Sequence, residues 1–230
     1  MAKVFIGVGH GGADSGAFAN GVKEKDLNLP IALACNEVLA RHGVITLMSR
    51  TTDENDTLNE EIRECNAFSP DLAIDIHNNA GGGDGAETFY HYLGGASKTL
   101  AENVLAEIVA IGQNSRGAKI KKGSDGRDYY GFIRETYAPA VIVECAFVDN
   151  AADLAIIDTE AERKVMGTAI AKGILKTLGI AYAEPAVEKP AETESGKLYR
   201  VQVGAYKVKA NAEAMAAKLK AAGFEAIIKS

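Results

Sequence analysis

The stretch AVIVECAF, Ala140 to Phe147, constrains the fold more than any other part of the chain. Val141, Ile142 and Val143 show no alternation of apolar and polar side chains, so the strand they form is buried on both faces. Strands of that kind belong to parallel sheets covered by helices on each side. A carboxylate inside such a run is costly unless it is paired, metal-bound or placed at the strand's mouth. Glu144 therefore either ends the strand in water or marks a site.

Residues 1 to about 180 repeat that logic, alternating apolar strands with helical patterns. KVFIGV, VITLMS, DLAIDI, AETFYHYL and AVIVECAF read as strands. LPIALACNEVLARHG, LNEEIRECNAF, SKTLAENVLAEIVAIG and EAERKVMGTAIAKGILKTLG read as helices, the first with Pro30 in its opening turn and Gly43 as its stop. The pattern predicts an α/β fold: a mostly parallel twisted sheet with helices on both faces. At 230 residues, 47% hydrophobic and 24% charged, the chain can build one such domain and one small unit. No run approaches a bilayer's thickness, and MAKVFIGV lacks signal-peptide features, so synthesis as a soluble cytoplasmic product is expected. Cys35, Cys65 and Cys145 are odd in number and show no CxxC spacing, which makes them small buried hydrophobes rather than a disulfide framework or a Cys-rich zinc site.

After the first domain comes a linker, residues 181–196, rich in Ala, Glu and Pro. Residues 197–230 then read strand, helix, strand: LYRVQVGAY, AEAMAAKLKAA with Asn211 as N-cap and Gly223 as stop, and FEAIIK. From Lys197 onward seven Lys and Arg stand against two Glu, a balance of +5 that leaves −11 for the rest. A basic tail on an acidic body points to an anionic or hydroxyl-rich polymer as the tail's partner.

Three strand ends carry groups suited to metal binding or proton transfer, and open α/β sheets bind ligands beyond the carboxyl ends of their strands. The first leads into GHGG with His10, the third into IHNNAGGG with His77, and the late strand holds Glu144. Zinc catalysis needs about three protein ligands and an open position. His10 and His77 supply two. Glu24, in the loop before the first helix, is the candidate third, although taken alone it reads as a first-turn charge favoured by the macrodipole. Glu144 is then better cast as general base than as a fourth ligand, which would close the site. His42 reads as a structural helix C-terminus, and His91 is left out of the site.

GHGGADSGAFANGVKEKDLNL, IHNNA, GAETFY and VIVECAFVDN together resemble the zinc-dependent N-acetylmuramoyl-L-alanine amidases of the amidase-3 type over roughly residues 3–178. The resemblance implies Zn2+ on His10, Glu24 and His77, with Glu144 catalytic. It also implies hydrolysis of the peptidoglycan amide between N-acetylmuramic acid and L-alanine of the stem peptide. The tail is similar to one SPOR-type peptidoglycan-binding repeat. The combination is similar to phage endolysins and mother-cell lytic amidases, which act on the wall after release. Two features depart from the pattern: the end of the first strand, where Gly7 and Val8 precede Gly9, lacks an acidic residue that is common there, and Asp75 stands where serine is common. Asp75 is expected to replace the lost carboxylate by orienting His10 or His77, and Asn79 is a further candidate for support around the ligands. The rival readings are a zinc peptidase cutting within the stem peptide and an inactive wall-binding protein. Neither nucleic acid nor membrane is expected as a partner. A βαβ piece as small as the tail cannot bury a full core alone, so it is expected to pair with its copy in a second chain.

Overall fold

In a computed structural model describing residues 1–185, 203–221, 223–224 and 226–228, the apolar runs pair into one sheet. In chain order the elements are β1 (Lys3–Val8), β2 (Phe18–Ala19), β3 (Val22–Lys23), α1 (Glu24–Arg41), β4 (Ile45–Met48), α2 (Leu58–Phe68) and β5 (Leu72–Asn79). Then follow β6 (Ala86–Tyr90), α3 (Ala96–Ala110), β7 (Ser115–Lys119), α4 (Gly131–Glu135), β8 (Ala140–Phe147), α5 (Ala151–Leu154), α6 (Glu160–Thr177) and α7 (Lys209–Ala221). The six-stranded sheet runs β4-β1-β5-β8-β6-β7. The first four strands in that order are parallel, β6 is antiparallel to β8, and β7 follows β6. The mostly parallel sheet is as expected, with one reversed edge. The chain leaves β1 toward β4 on one side and β5 toward β8 on the other, so the crevice beyond β1 and β5 is a topological switch point.

The two faces are covered unequally. Val4, Ile6, Val8, Ile74, Ile76, Val141, Val143 and Cys145 point to one face and form the large core with α1, α3 and α6. Phe5, Ala73, Phe89, Ala140 and Ile142 point to the other, under Cys65 of α2 and Phe132 and Ile133 of α4. The side-chain period of two sorts them. Capping boxes start α2 (Thr57 with Glu60) and α6 (Thr159 with Glu162). All three cysteines are buried and free.

Four expectations are corrected. The first helix begins at Glu24, not near Leu29, so Pro30 lies inside α1, where the Asp26 carbonyl loses its intrahelical donor. The β2–β3 hairpin, β7, α4 and α5 are too short or too polar to leave a periodic signal. In the C-terminal unit α7 begins at Lys209, which puts Asn211 inside the first turn rather than at the cap. Residues 203–206 and 226–228 form no strand, because the described residues supply no ladder partner; residues 198–202, 225 and 229 of the two expected strands lie outside them. Gly223 does stop the helix, at φ 87° with its N–H on the Lys220 carbonyl. The chain divides into two compact units, Met1–Glu184 and Pro185–Ser230. Among the described residues no helix is long and apolar enough to cross a membrane.

Candidate metal centre and active site

The backbone beyond β1 turns sharply, and His10 adopts a left-handed conformation, φ 62°. Such a backbone in a non-glycine residue needs outside support. Arg50, 2% exposed, donates to the carbonyls of Val8 (3.1 Å), Gly9 (3.3 Å) and Lys25 (3.2 Å). Lys25 reaches the Gly12 carbonyl at 2.8 Å and pairs with Asp53, which accepts the Gly12 N–H. Gly9 is required by close approach: a Cβ there would lie 2.2 Å from the His77 ring.

Glu24 is the hub. It is the first residue of α1 and 4% exposed. Its Oε2 lies 3.1 Å from His10 Nε2 and its Oε1 lies 3.0 Å from His77 Nδ1. The carboxylate also accepts from the backbone N–H of Ala17 and Asn78 and from the Asn28 amide. Asn28, one turn along α1, also holds the Gly9 carbonyl, and Asn78 donates to its oxygen. The two imidazoles meet edge to face with centroids 5.1 Å apart.

Outer partners hold the far nitrogens. His10 Nδ1 lies 2.8 Å from Asp14 Oδ2, and His77 Nε2 lies 3.0 Å from Asp75 Oδ2. Burial alone would raise the Glu24 pKa, but its hydrogen bonds to His10 and His77 outweigh that and hold it below the usual carboxylate range. His10 is raised, chiefly by its bond to Glu24. Burial opposes charge on His77, yet Asp75 and Glu24 push its pKa well above the ordinary value. One donor atom from each of His10, Glu24 and His77 lies within 4.8 Å of the others. Two imidazole nitrogens and a carboxylate oxygen so converged suit a divalent metal, which would take the place of the protons they now share.

Glu144 sits beside this cluster. It is the register partner of His77 across β5 and β8 and of Glu87 across β8 and β6, so the three share one row and one face. Its Oε2 is buried with no hydrogen-bond partner, and burial pushes its pKa up to about 7. A carboxyl poised there can exchange a proton near neutrality. The opening question resolves as an alternation: Val143 and Cys145 face the large core, while Glu144 faces the site.

Sequence reasoning placed His10, His77 and Glu144 at strand ends and Glu24 in the loop before the first helix; the structure brings His10, Glu24 and His77 together, with Glu144 in the register row of His77. Asp75 touches His77 and not His10. Asn79 does not reach a ligand; its amide donates to Glu87 Oε1 at 2.8 Å. His91 pairs with Asp128 (3.2 Å), and His42 caps α1, lying 2.7 Å from the Val38 carbonyl. Arg50, Lys25, Asn28 and Asn78 were missed. Only Asn28 left a signal, four residues after Glu24 on one helix face.

Comparison with known proteins shows the family and the fold. The family model described as N-acetylmuramoyl-L-alanine amidase matches residues 4–176, and the SPOR domain model matches residues 171–230, a span that starts within α6. The chain is 34% identical over 232 residues to the sporulation-specific N-acetylmuramoyl-L-alanine amidase of Bacillus subtilis (strain 168), covering 99% of this chain and 84% of that one. It is 31% identical to the endolysin of Bacillus phage SPP1, over 87% of this chain and 75% of the relative. Among solved structures, the catalytic domain of CwlV, an N-acetylmuramoyl-L-alanine amidase from Bacillus (Paenibacillus) polymyxa var. colistinus, superposes with a TM-score of 0.71 at 28% identity, covering 79% of this chain and all of that domain. The chain belongs to the N-acetylmuramoyl-L-alanine amidase family of peptidoglycan hydrolases, and it carries a SPOR domain at its C-terminal end.

Proposed function

We propose that His10, Glu24 and His77 hold a zinc ion in this amidase and that Glu144 is its proton-transfer residue. The observation that carries this is the convergence of N, N and O donors beside a carboxylate whose Oε2 is buried and without a hydrogen-bond partner. Two imidazoles and one carboxylate are a donor set that suits zinc and leaves a fourth position open. When bound, zinc supplies Lewis acidity and makes water a nucleophile near neutral pH. Glu144 removes a proton from the attacking water as it adds to the lactyl carbonyl. It then delivers that proton to the alanine nitrogen as the C–N bond breaks, leaving a lactyl carboxylic acid and a free L-alanine amine. Glu24 keeps the two imidazoles facing one point, and the Arg50 network holds the His10 turn.

Asp75 orients His77. By taking the Nε2 side at 3.0 Å it leaves Nδ1 turned to the shared point with Glu24. A Cβ at Gly7, the register partner of Asp75, would stand 2.0 Å from Glu61 Oε1 and 2.8 Å from Asp75 Oδ1. The absence of a side chain at position 7 thus makes room for both carboxyls. Asn79 acts one step further out, through Glu87.

The decisive experiment measures amine release from purified peptidoglycan by wild type and Glu144→Ala, with bound zinc quantified in each. New L-alanine amino termini from wild type and a zinc-loaded, inactive variant are expected. Loss of zinc in the variant would make Glu144 a ligand and overturn the assignment.

For the C-terminal unit the reading is a wall-binding module that pairs with its copy in a second chain. Exposed apolar side chains at Val203, Val208, Phe224 and Ile227 support it. Sedimentation of the full chain should show a concentration-dependent dimer; a monomer at all concentrations would end the pairing idea.

A further inference from the structure

The row that carries His77 and Glu144 continues to a cationic end. Glu87, 6% exposed, is next after Glu144. Its Oε1 accepts from Asn79, and its Oε2 accepts from Arg116 Nε at 3.1 Å and from Lys119 Nζ. Two cations thus meet one carboxylate, leaving a surplus positive charge. Glu87 is held below its ordinary pKa: burial opposes ionisation, but Lys119 and Arg116 overcome it. Both cations keep 37% of their side chains exposed, so a ligand can reach them. The Arg116 guanidinium lies over the Phe147 ring, 4.9 Å from its centroid, and among the described residues its bond to Glu87 uses only Nε. Its two Nη groups therefore offer an edge suited to bidentate recognition of a carboxylate. The surrounding stretch 115–127 holds Arg116, Lys119, Lys121, Lys122 and Arg127 against Asp125 alone, within an acidic chain.

Direction along the row decides which half of the substrate this end meets. Glu144 protonates the leaving amine in the reading above, so the peptide departs on the Glu144 side of the metal ligands. Groups beyond Glu144 then face the stem peptide and not the glycan. Adjacent strands are about 4.8 Å apart, so Glu87 lies roughly 10 Å from His77. An extended peptide advances about 3.4 Å per residue, which brings the residue after L-alanine toward Arg116. In peptidoglycan that residue is a γ-linked D-glutamate whose α-carboxylate is free in some walls and converted to a carboxamide in others.

We infer that Arg116 and Lys119, braced by Glu87 and Asn79, form a subsite for a stem-peptide carboxylate, that of the second residue, and so select walls in which it is not amidated. This inference rests on the assignment of Glu144 as the group that protonates the leaving amine.

The test is calorimetric binding of the tripeptide L-Ala-γ-D-Glu-L-Lys to the zinc-loaded full chain, against the same peptide amidated at the second residue and against one amidated at the C-terminus. The free α-carboxylate should bind about 10- to 100-fold tighter than its carboxamide, the span of one charge-assisted bond. Arg116→Gln and Lys119→Gln should each shrink that preference, and Arg116→Lys should restore part of it. Thermal melting of each variant verifies folding, and two independent variants guard against the loss of one. If only C-terminal amidation weakens binding, the cations read the third residue's carboxylate and the assignment to the second residue is overturned. Equal binding of all three peptides by wild type, or a preference unchanged in both Gln variants, overturns it. Amine release measured in parallel separates the two readings. Normal release without selectivity sinks the subsite alone, whereas selective binding with full activity in Glu144→Ala sinks the proton-transfer assignment alone.

Discussion

The two faces of this sheet are built from the same strands and do opposite work. On β5, Ile74 and Ile76 fill the large core, while Asp75 and His77 face the site. On β8, Val143 and Cys145 are core and Glu144 is chemistry. The core face is sealed by α1, α3 and α6; the other is closed only in part, by α2 and α4. Polar groups are tolerated there because most of them find a partner. Glu144, Asp75, Glu61 and Asn78 are among the exceptions, each with a buried oxygen left unpartnered. Stability is stored on one face so that the other can hold groups which cost it.

That division predicts that neighbouring substitutions on one strand part company. The largest effect is expected from His77→Ala: near-complete loss of activity and of bound zinc, with the metal-free protein losing less stability than a core truncation costs. Ile76→Ala, one residue earlier, should cost about 2–5 kcal/mol of stability while zinc content per folded molecule stays at the wild-type level. Chemical denaturation with metal analysis on both variants checks the pair; a comparable stability loss in each would erase the distinction between faces.

Next in size, Glu144→Ala should lower kcat/KM about 10²- to 10⁴-fold with the zinc retained. Asp75→Asn keeps the shape of the side chain but not its charge and should weaken zinc affinity about 10- to 100-fold, read by competition with a chelator. Unchanged affinity would remove Asp75 from the site's support.

The smallest effect concerns pH in metal-free protein. Burial raises the Glu144 pKa to about 7, so the folded state favours its protonated form. The unfolded chain releases that proton near the ordinary carboxyl value, so stability falls as pH rises from there to about 7 and then stays lower. Glu144→Gln should accordingly stabilise the metal-free protein at pH 8 by on the order of 2 kcal/mol and hardly at pH 4, as followed by denaturant titration. Equal effects at both pH values would show that the carboxyl's burial carries no such penalty.

Period-two and helical patterning determined the α/β class, the order of the main strands and the division into a catalytic body and a small tail, because burial is written directly into which residues are apolar. His10, His77 and Glu144 were legible since each interrupts or ends an apolar run, and glycines crowd the two histidine turns. The hydrogen-bond partners were not legible. Arg50 stabilises the His10 turn from 40 residues away, and nothing in SRTTDEND announces that role. Likewise the reversal of β6 and β7, which sets Glu87, Arg116 and Lys119 at the end of the catalytic row, depends on pairing between strands distant in sequence. The turn that makes Glu24 the first residue of α1 depends on backbone bonds from Glu24 and Lys25 to Ala17 and Ser15. Local sequence sets which side chains want to leave water. Only the tertiary structure decides which of them meet, since a buried polar group can be kept only where the fold brings a second one within hydrogen-bonding distance.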